Sequence, residues 1–596
     1  MKNLLFLFSL ILGGILSPGL TMAQWSDDPY ENLKVRDTAG MIVVPHIAAD
    51  PQGNSYISWY SAIGDLNFDV YLQYFNKHGV KQWPEPGLLV SNHETFSWVS
   101  DYGLVVDQEG SAVLVTQDQR DGYGNAFAYR ISPDGQMKWG PDGIRLTDGN
   151  DENFTPQVIT APNNEFLFLN NMYPLDTQQA STLNLKKINK EGELQWDNTI
   201  TMDQMALYFG RMLITEDENL ILSYLAKDQY PDTLPGQNHY IHVFLEKFDL
   251  DGNSLWPAPV QADTGDVMIY GALYTIPYLA NDGAGGAYVV WQSFADENPT
   301  TLVNHIDAGG NPTWPGHGTP VSANEYNYHT APSLVYMPEE DNLFVFWQEY
   351  HYDGLNLTDC WAVAGQKFSP EGDRLWSDTA RYFVPLLCAV DTALMEVHLA
   401  AGPDHSLLFA FNKDYLKIEG TDTSIISEMH CSMIDPDGNF LWEDEIIPVS
   451  LAPGEKYNSD LSMASNDQWI FTWEDSRNHA ADPQYSGVYA QNITVTGDLG
   501  ALKTDEPGIV DQGWIKCYPN PCSDLLNLEI DLPQKSEIII MIYDCLGNLL
   551  LSKNCGTRDK GNQQYEIFLD TLKPGVYFLQ LQAQGEISTL KIVKKE

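Results

Sequence analysis

An eight-residue string that ends in tryptophan recurs along the chain and constrains its fold more than any other feature. Its seven clear copies are NKHGVKQW (76–83), SPDGQMKW (132–139), NKEGELQW (189–196), DLDGNSLW (249–256), DAGGNPTW (307–314), SPEGDRLW (369–376) and DPDGNFLW (435–442). An eighth copy, TVTGDLGA (494–501), lacks the tryptophan. The glycine inside the string recurs every 56 to 66 residues. Self-similarity at a nearly fixed period of this length is typical of repeat architectures.

Each repeat unit shows the alternation of residue types that is typical of short β-strands. The first unit reads PHIAADPQGNSYISWY (45–60) and then DVYLQYFNKHGVKQW (69–83), with Pro, Gly and Asn at the turns. Four strands per unit with few helical patterns predict an all-β fold, a β-propeller of about eight four-stranded blades over residues 39–503. Seven blades are the alternative, if the first and last copies share one blade. We expect eight, because each copy is predicted to carry its own full set of strands.

The recurring string is interpreted as scaffold. Asp or Asn beside Gly favours a tight hairpin because both residue types tolerate positive φ, and Pro133 and Pro436 preset φ at the first turn residue. The tryptophan then lies where its ring can pack against the next blade. The copy SPDGQMKW (132–139) is similar to the Asp-box hairpin of sialidases, although Gly135 follows Asp134 one position early. Turn chemistry and a packing aromatic account for every residue, so we expect no ligand site there.

The regions that flank the repeats have different compositions. Residues 1–23 combine one Lys with an apolar run, which predicts a secretory signal peptide cleaved after Ala23. Residues 24–38 are expected to be a lead-in to the propeller, and residues 504–513 a polar linker. Residues 24–513 carry the whole net charge of −49, which argues against nucleic acid and anionic membrane surfaces as partners. After the signal peptide, no segment has the length of apolar chain that a transmembrane helix needs.

From Trp514 onward the chain carries three characteristic blocks in a fixed order. They are CYPNPCSDLLNLEI (517–530), IIIMIYDCLGNLLL (538–551) and LDTLKPGVYFLQLQAQGEISTLKIVKK (569–595). Together they resemble the C-terminal sorting domain that the type IX secretion system of Bacteroidota uses. The resemblance implies an immunoglobulin-like β-sandwich over residues 514–596 that engages the type IX secretion machinery. It also implies export through the periplasm and across the outer membrane, after which the protein is released or attached to the cell surface.

The seven cysteines suit an exported protein, because disulfides form outside the cytoplasm. Four of them, Cys517, Cys522, Cys545 and Cys555, lie in the C-terminal region and have three ways to form two disulfides. The sequence does not choose among these pairings. No Cys or His spacing predicts a zinc site.

A group of polar residues follows the tryptophan of the second strand in three repeats. The segments are WQSFADEN (291–298), WQEYHYDG (347–354) and WEDSRNHAAD (473–482). They place six candidate ligand-face residues on equivalent loops, namely Asp296, Glu349, Asp353, Glu474, Asp475 and Arg477. Carboxylates beside aromatic residues are the mixture that a saccharide site needs. Shared ancestry and turn chemistry explain the same repetition, and a catalytic pair should differ between blades, so we predict no catalytic residue.

The acidic run TDGNDEN (147–153) has enough carboxylates to hold Ca²⁺ but lacks the spacing of a defined loop. Ca²⁺ is the one cofactor that the sequence brings into consideration. We expect a monomeric, non-enzymatic, exported or cell-surface propeller that acts as a binding scaffold for a glycan, polymer or protein. Two alternatives stay open: an extracellular polysaccharide hydrolase or lyase, and a structural or adhesive surface component that binds cations.

Overall fold

A computed structural model gives the fold of the chain, which divides into two units, Met1–Ala501 and Leu502–Glu596. The first unit contains the repeats, and the second contains the C-terminal blocks. The residues that the structure describes are 25–62, 67–95, 102–147, 151–176, 179–227, 241–263, 276–293, 298–316, 318–356, 358–419, 422–479, 485–500, 510–511, 515–532, 534–544, 549–583 and 586–595.

Over its described ranges, the first unit consists of 32 strands and one 3-10 turn, Pro162–Asn164. Strands β1 to β16 are Leu33–Arg36, Met41–Ala49, Ser55–Ala62, Asp69–Phe75, Leu88–Ser91, Gly103–Val106, Ala112–Asp118, Asn125–Ile131, Ile144–Arg145, Glu152–Ala161, Glu165–Tyr173, Thr182–Ile188, Leu194–Ile200, Ala206–Ile214, Leu220–Lys227 and Ile241–Phe248. Strands β17 to β32 are Val260–Gln261, Tyr278–Asn281, Ala287–Ser293, Thr300–Ile306, Thr319–Pro320, Tyr328–Met337, Asn342–Asp353, Thr358–Phe368, Arg381–Cys388, Thr392–Ala401, Leu407–Glu419, Asp422–Ile434, Ile447–Ser450, Lys456–Leu461, Gln468–Asp475 and Gly487–Thr494.

These strands form eight antiparallel four-stranded sheets, which are the blades of a β-propeller. Blades 1 to 7 each use four consecutive strands, from β2–β5 to β26–β29, with the first strand of each blade innermost. Neighbouring innermost strands contact one another around the ring, and β30 of blade 8 contacts β2 of blade 1. The prediction of eight blades is confirmed.

Blade 8 contains strands from both ends of the repeat region. Its order is β1-β32-β31-β30, so the outermost strand is Leu33–Arg36, which pairs with Gly487–Thr494. The last repeat therefore supplies three strands, and the expectation that every repeat carries its own four is wrong for this blade. Residues in the segment 24–38, expected to be a lead-in, complete the eighth sheet.

Seven copies of the recurring string form the hairpins between the third and fourth strands of blades 1 to 7, and the eighth copy follows the third strand of blade 8. The glycine of every copy adopts φ of 75° to 90°. The tryptophan ring of the string packs against the next blade, as predicted, and also makes a hydrogen bond to it. The indole Nε1 donates to a carbonyl oxygen of the following copy, at 2.8 to 3.0 Å, in the pairs Trp83–Pro133, Trp139–Lys190, Trp196–Leu250, Trp256–Ala308, Trp314–Pro370 and Trp442–Val495. This bond fixes the spacing of neighbouring blades on their outer side.

Two positions in this circle of bonds depart from the pattern. The Trp376 indole nitrogen is buried without an acceptor, and Arg381 donates instead to the carbonyl oxygen of Asp437 at 2.8 Å. The eighth copy has no tryptophan of its own, and Trp25 takes that place. Its indole donates to the carbonyl oxygen of Lys77 in the first copy at 3.1 Å.

The connections of each blade alternate between two ends because the strands are antiparallel. The end with the connections between second and third strands is here called the loop face, and the end with the recurring hairpins is called the turn face. Among the described residues, blades 6 and 7 have the strands that extend furthest at the loop face. Their second strands have 12 and 13 residues, whereas those of the other blades have 7 to 9. A disulfide between Cys360 and Cys388 joins the two outer strands of the blade 6 extension.

The second unit is a small β-sandwich, as the resemblance implies. Its strands β33 to β40 are Val510–Asp511, Ile515–Tyr518, Leu525–Leu532, Ser536–Asp544, Leu549–Arg558, Gly561–Phe568, Gly575–Ala583 and Glu586–Lys594. They form sheets of order β33-β34-β35-β38 and β37-β36-β39-β40, with one apolar core built from both. Cys517, Cys522 and Cys555 are buried free thiols in this core, and Cys545 lies outside the described residues.

Candidate functional site

Among the described residues, a bulge recurs on the innermost strand of six blades, near the loop face. At each bulge the register with the second strand shifts, and one residue other than glycine adopts φ of 48° to 51°. These residues are Val44, Thr155, Phe209, Ala331, Glu396 and Asn458. Positive φ is strained for such residues, for β-branched Val44 and Thr155 above all. Bulges re-aim neighbouring side chains, and such strain clusters at functional sites, so the loop-face half of the channel is a candidate location for a functional site.

Two of the carboxylates near these bulges hold neighbouring blades together. Glu396 of blade 7 accepts hydrogen bonds from the backbone nitrogens of Asn458 and Ser459 in blade 8, at 2.9 and 3.1 Å. Glu474 of blade 8 accepts one from the Val44 nitrogen of blade 1 at 2.7 Å and one from Asn458 Nδ2 at 2.6 Å. Burial raises the pKa of Glu474 to about 7. Its side chain is enclosed, with the residue 1% exposed.

Glu349 and Asp475 occupy equivalent positions and have the same local partner. The indole of Trp347 donates to Glu349, and that of Trp473 donates to Asp475, both at 2.8 Å. Both carboxylates are fully buried. Glu349 accepts two further hydrogen bonds, from the Asn327 amide at 2.6 Å and the Tyr382 hydroxyl at 2.7 Å.

Arg477 is part of an ion pair that recurs in another blade. Its guanidinium donates to Asp475 at 2.5 Å and lies 4.0 Å from the centre of the Tyr489 ring. In blade 2, Arg120 donates to Asp118 at 2.6 Å and lies 3.6 Å from the centre of the Phe127 ring. Each arginine thus combines a carboxylate two residues before it with an aromatic ring on the third strand.

The remaining two candidates lie apart from these. Asp353 begins the turn at the tip of the blade 6 extension, where it accepts hydrogen bonds from the backbone of Leu355 and Asn356. A hydrogen bond from the Asn356 side-chain amide, followed by these two backbone hydrogen bonds, lowers its pKa. Asp296 lies outside the described residues, as does part of the acidic run 147–153. Within the described ranges, no three His, Cys, Asp or Glu side chains are grouped so that they could hold a metal ion.

Blade 6 carries a cleft that the sequence interpretation missed. It has a volume of about 290 Å³ and is lined by Tyr328, Thr330, Gln348, Tyr350, Asp359 and Trp361. We call it the blade 6 cleft. The three aromatic residues are direct cross-strand partners on the first, second and third strands. Their ring centres are 5.2 Å apart for Tyr328 and Tyr350, and 4.6 Å apart for Tyr350 and Trp361.

Polar groups surround these half-buried rings. The Tyr350 hydroxyl donates to Asp359 at 2.7 Å, while the cross-strand pair Thr330 and Gln348 lies two residues further from the loop face. Strands alternate their side chains between two faces, so residues spaced by two on three paired strands line one surface. The sequence does contain a signal for this surface, namely aromatic and polar residues spaced by two on each strand: Tyr328 and Thr330, Gln348 and Tyr350, and Asp359 and Trp361. Recognising it requires the register of all three strands.

A second cavity, of about 370 Å³, lies in the channel toward the turn face. Residues from blades 4 to 8 line it, among them Glu216, Tyr336, His398 and Asp460. Asp460 already accepts hydrogen bonds from the His46 ring at 3.2 Å and from the Ile47 nitrogen at 3.0 Å. This cavity has fewer aromatic side chains than the blade 6 cleft.

Residues 516–595 match the model of the secretion system C-terminal sorting domain. This match bears out the resemblance seen in the three C-terminal blocks, and it indicates secretion to the cell surface or the exterior. The machinery that this domain engages is that of type IX secretion. No helix among the described residues has the length and apolar character to cross a membrane.

Solved structures similar to this chain are distant in sequence. A protein of unknown function from Dyadobacter fermentans is 10% identical, over 77% of this chain and 96% of its own, with a TM-score of 0.35. A polysaccharide lyase active on ulvan is 11% identical, over 81% and 98% of the two chains, with a TM-score of 0.41. An α-L-arabinofuranosidase of Fusarium graminearum is 11% identical, over 78% and 98%, with a TM-score of 0.33. No curated protein matches the sequence.

Proposed function

We propose that this exported propeller is a carbohydrate-binding scaffold and that the blade 6 cleft holds the sugar. The observation that carries the proposal is the row of three aromatic rings, Tyr328, Tyr350 and Trp361, beside hydrogen-bonding groups in one cleft. Aromatic faces cover the apolar side of a sugar ring, and polar groups at the edges select its hydroxyls. The cleft volume is at the lower end of the range for small-molecule sites, which suits one or two sugar units.

The buried carboxylates support binding over catalysis. Glycoside hydrolysis uses two carboxyl groups that face a shared space and reach the substrate. Glu349, Glu474 and Asp475 are each 1% exposed or less and accept hydrogen bonds from neighbouring protein groups. We infer that these three residues, together with Arg477, hold the blades in place. We infer that Asp353 stabilises the turn at the tip of the blade 6 extension.

Affinity electrophoresis tests the proposal. The full mature chain is run in native gels that contain laminarin, xylan or alginate, and the retardation by each polymer gives a dissociation constant. Tyr350→Ala should weaken binding to the retarding polymer by about tenfold or more, because it removes the central ring of the row. Tyr350→Phe should retain most of the affinity.

Tyr74→Ala is the matched control, because Tyr74 is also half-buried and stacks on Tyr56 with ring centres 4.5 Å apart, on blade 1. It should bind as the wild type does. Equal binding by Tyr350→Ala and the wild type would contradict the proposal. Release of reducing ends or unsaturated products from the polymer would favour the hydrolase or lyase alternative instead.

A further inference from the structure

A second group of aromatic side chains lies at the loop face, on blades 3 and 4. We call it the blade 3–4 platform, and it consists of Phe154, Tyr173, Tyr208 and Phe209. Ring centres are 5.4 Å apart for Phe154 and Tyr173, 5.9 Å for Tyr173 and Tyr208, and 6.3 Å for Tyr208 and Phe209. All four side chains are half-buried, so each keeps part of its surface available. Neither the sorting function nor the blade 6 cleft uses them.

The platform and the cleft occupy corresponding positions in their blades. Tyr173 is the cross-strand partner of Glu152 in blade 3, as Tyr350 is the partner of Tyr328 in blade 6. In both blades this pair lies two residues from the pair at the bulge, on the side of the loop face. The two aromatic surfaces therefore belong to the same face of the propeller. Since the blades follow one another around the ring, only blade 5 separates blade 4 from blade 6.

The charge of the propeller limits what such a ligand can be. Residues 24–513 carry a net charge of −49, and the cleft itself includes the Asp359 carboxylate. A polymer of uronic acids or sulfated sugars would be repelled by this field, whereas a neutral polymer would not. Aromatic surfaces on an acidic domain therefore suit a neutral chain of sugars.

We propose that the ligand is a neutral polysaccharide that contacts the blade 6 cleft and the blade 3–4 platform at the same time. This inference rests on the proposed function, because it assigns the cleft as the first of two contact regions. A chain bound in the cleft presents its next units to the platform at high effective concentration. The second contact then raises the affinity for long chains without changing the affinity for short ones.

The experiment compares chain lengths in variants of the full mature protein. Dissociation constants are measured by calorimetry for laminaribiose and laminarin, for xylobiose and xylan, and for alginate as the acidic polymer. The variants are Tyr173→Ala, Tyr350→Ala, the double variant, and Tyr74→Ala as the control. Tyr173→Phe, which keeps the ring, and the thermal midpoint of each variant show whether a loss reflects the ring or the fold.

Tyr173→Ala should weaken binding of the neutral polymer by about tenfold and leave the disaccharide within about twofold. Tyr350→Ala should weaken binding of both the neutral polymer and the disaccharide. Alginate should bind more weakly than the neutral polymers. Wild-type polymer affinity in Tyr173→Ala, or an equal loss for disaccharide and polymer, would overturn the inference while Tyr350→Ala still upheld the cleft. No effect of Tyr350→Ala on any carbohydrate would overturn the proposed function and this inference with it.

Discussion

The indole nitrogen of Trp25 lies 3.1 Å from the carbonyl oxygen of Lys77 and donates a hydrogen bond to it. Six of the seven motif tryptophans make the same bond from one blade to the next. The eighth copy has Ala501 where the others have tryptophan, so the N-terminal segment provides the missing indole. The same segment provides the outer strand Leu33–Arg36 of blade 8. The ring of blades thus closes through residues from both ends of the repeat region.

Removal of the Trp25 ring should destabilise the propeller. Trp25 is 3% exposed and packs among residues of blades 8 and 1, so Trp25→Ala should lower the free energy of unfolding by about 3 to 5 kcal/mol. Trp83→Phe should cost about 1 kcal/mol more than Trp376→Phe, because the Trp376 nitrogen has no acceptor to lose. Urea unfolding followed by fluorescence measures these differences. Wild-type stability in Trp25→Ala would show that the N-terminal segment does not close the ring.

The buried Glu474 should make stability depend on pH. Burial raises its pKa to about 7, so the folded protein keeps a proton that the unfolded chain has released. The free energy of unfolding therefore falls as pH rises from about 5 to 7, by up to ~3 kcal/mol. Burial also raises the pKa of Asp414, to about 6, which adds a change in the same direction.

Glu474→Gln removes the titration of that one group and retains a hydrogen-bonding oxygen. The stability gap between the variant and the wild type should therefore widen in favour of the variant between about pH 5 and 8. Denaturant unfolding at several pH values measures this gap, with Asp353→Asn as a surface control. Parallel pH profiles for the variant and the wild type would be inconsistent with a raised pKa at this position.

Arg477 should matter for stability and leave carbohydrate binding unchanged. Its guanidinium bonds to Asp475 and, at 2.8 Å, to Asn32 of the N-terminal segment. Arg477→Ala leaves a buried carboxylate with one fewer partner, although Lys456 lies 3.7 Å from it, so we expect a loss of about 1 to 3 kcal/mol. Arg120→Ala is the matched control, because it removes an arginine with the same kind of carboxylate and aromatic contacts in blade 2. A loss of polymer retardation in a folded Arg477→Ala protein would return this residue to the candidate ligand site.

The Cys360–Cys388 disulfide should support the blade 6 cleft, because Cys360 precedes Trp361 in the sequence. The double variant Cys360→Ala and Cys388→Ala should lower the stability of the propeller by about 2 to 4 kcal/mol. It should also weaken polymer binding, since the strand that carries Trp361 loses its covalent link. Cys431→Ala, at a buried free thiol in blade 7, serves as the control. Unchanged polymer binding in the double variant would show that the disulfide does not support the blade 6 cleft.

The sequence predicted the blades and the sorting domain because both depend on local patterns. Turn residues at a fixed period specify each hairpin, and the three C-terminal blocks are contiguous. The closure of the ring could not be predicted in this way, since Leu33–Arg36 pairs with residues more than 400 positions away and carries no repeat signature. Trp25 lies outside the repeats, so no periodic pattern in the sequence identified its role in closing the ring.

The candidate site was predicted less well, for a related reason. Glu349 and Asp475 follow a tryptophan at the same spacing, and the structure shows that this spacing serves a local hydrogen bond. The blade 6 cleft instead combines single residues from three strands, and its surface depends on the register of Tyr328, Tyr350 and Trp361. Register and solvent access are properties of the folded blade, which sequence spacing does not report.

A crystal structure of the mature protein in complex with a hexasaccharide fragment of the neutral polymer that it binds tests the account most directly. The account predicts a sugar ring stacked on Tyr350 and Trp361 in the blade 6 cleft, with its hydroxyls within hydrogen-bonding distance of Asp359 or Gln348. Sugar bound only in the turn-face cavity beside Asp460, or at a surface away from these rings, would contradict it.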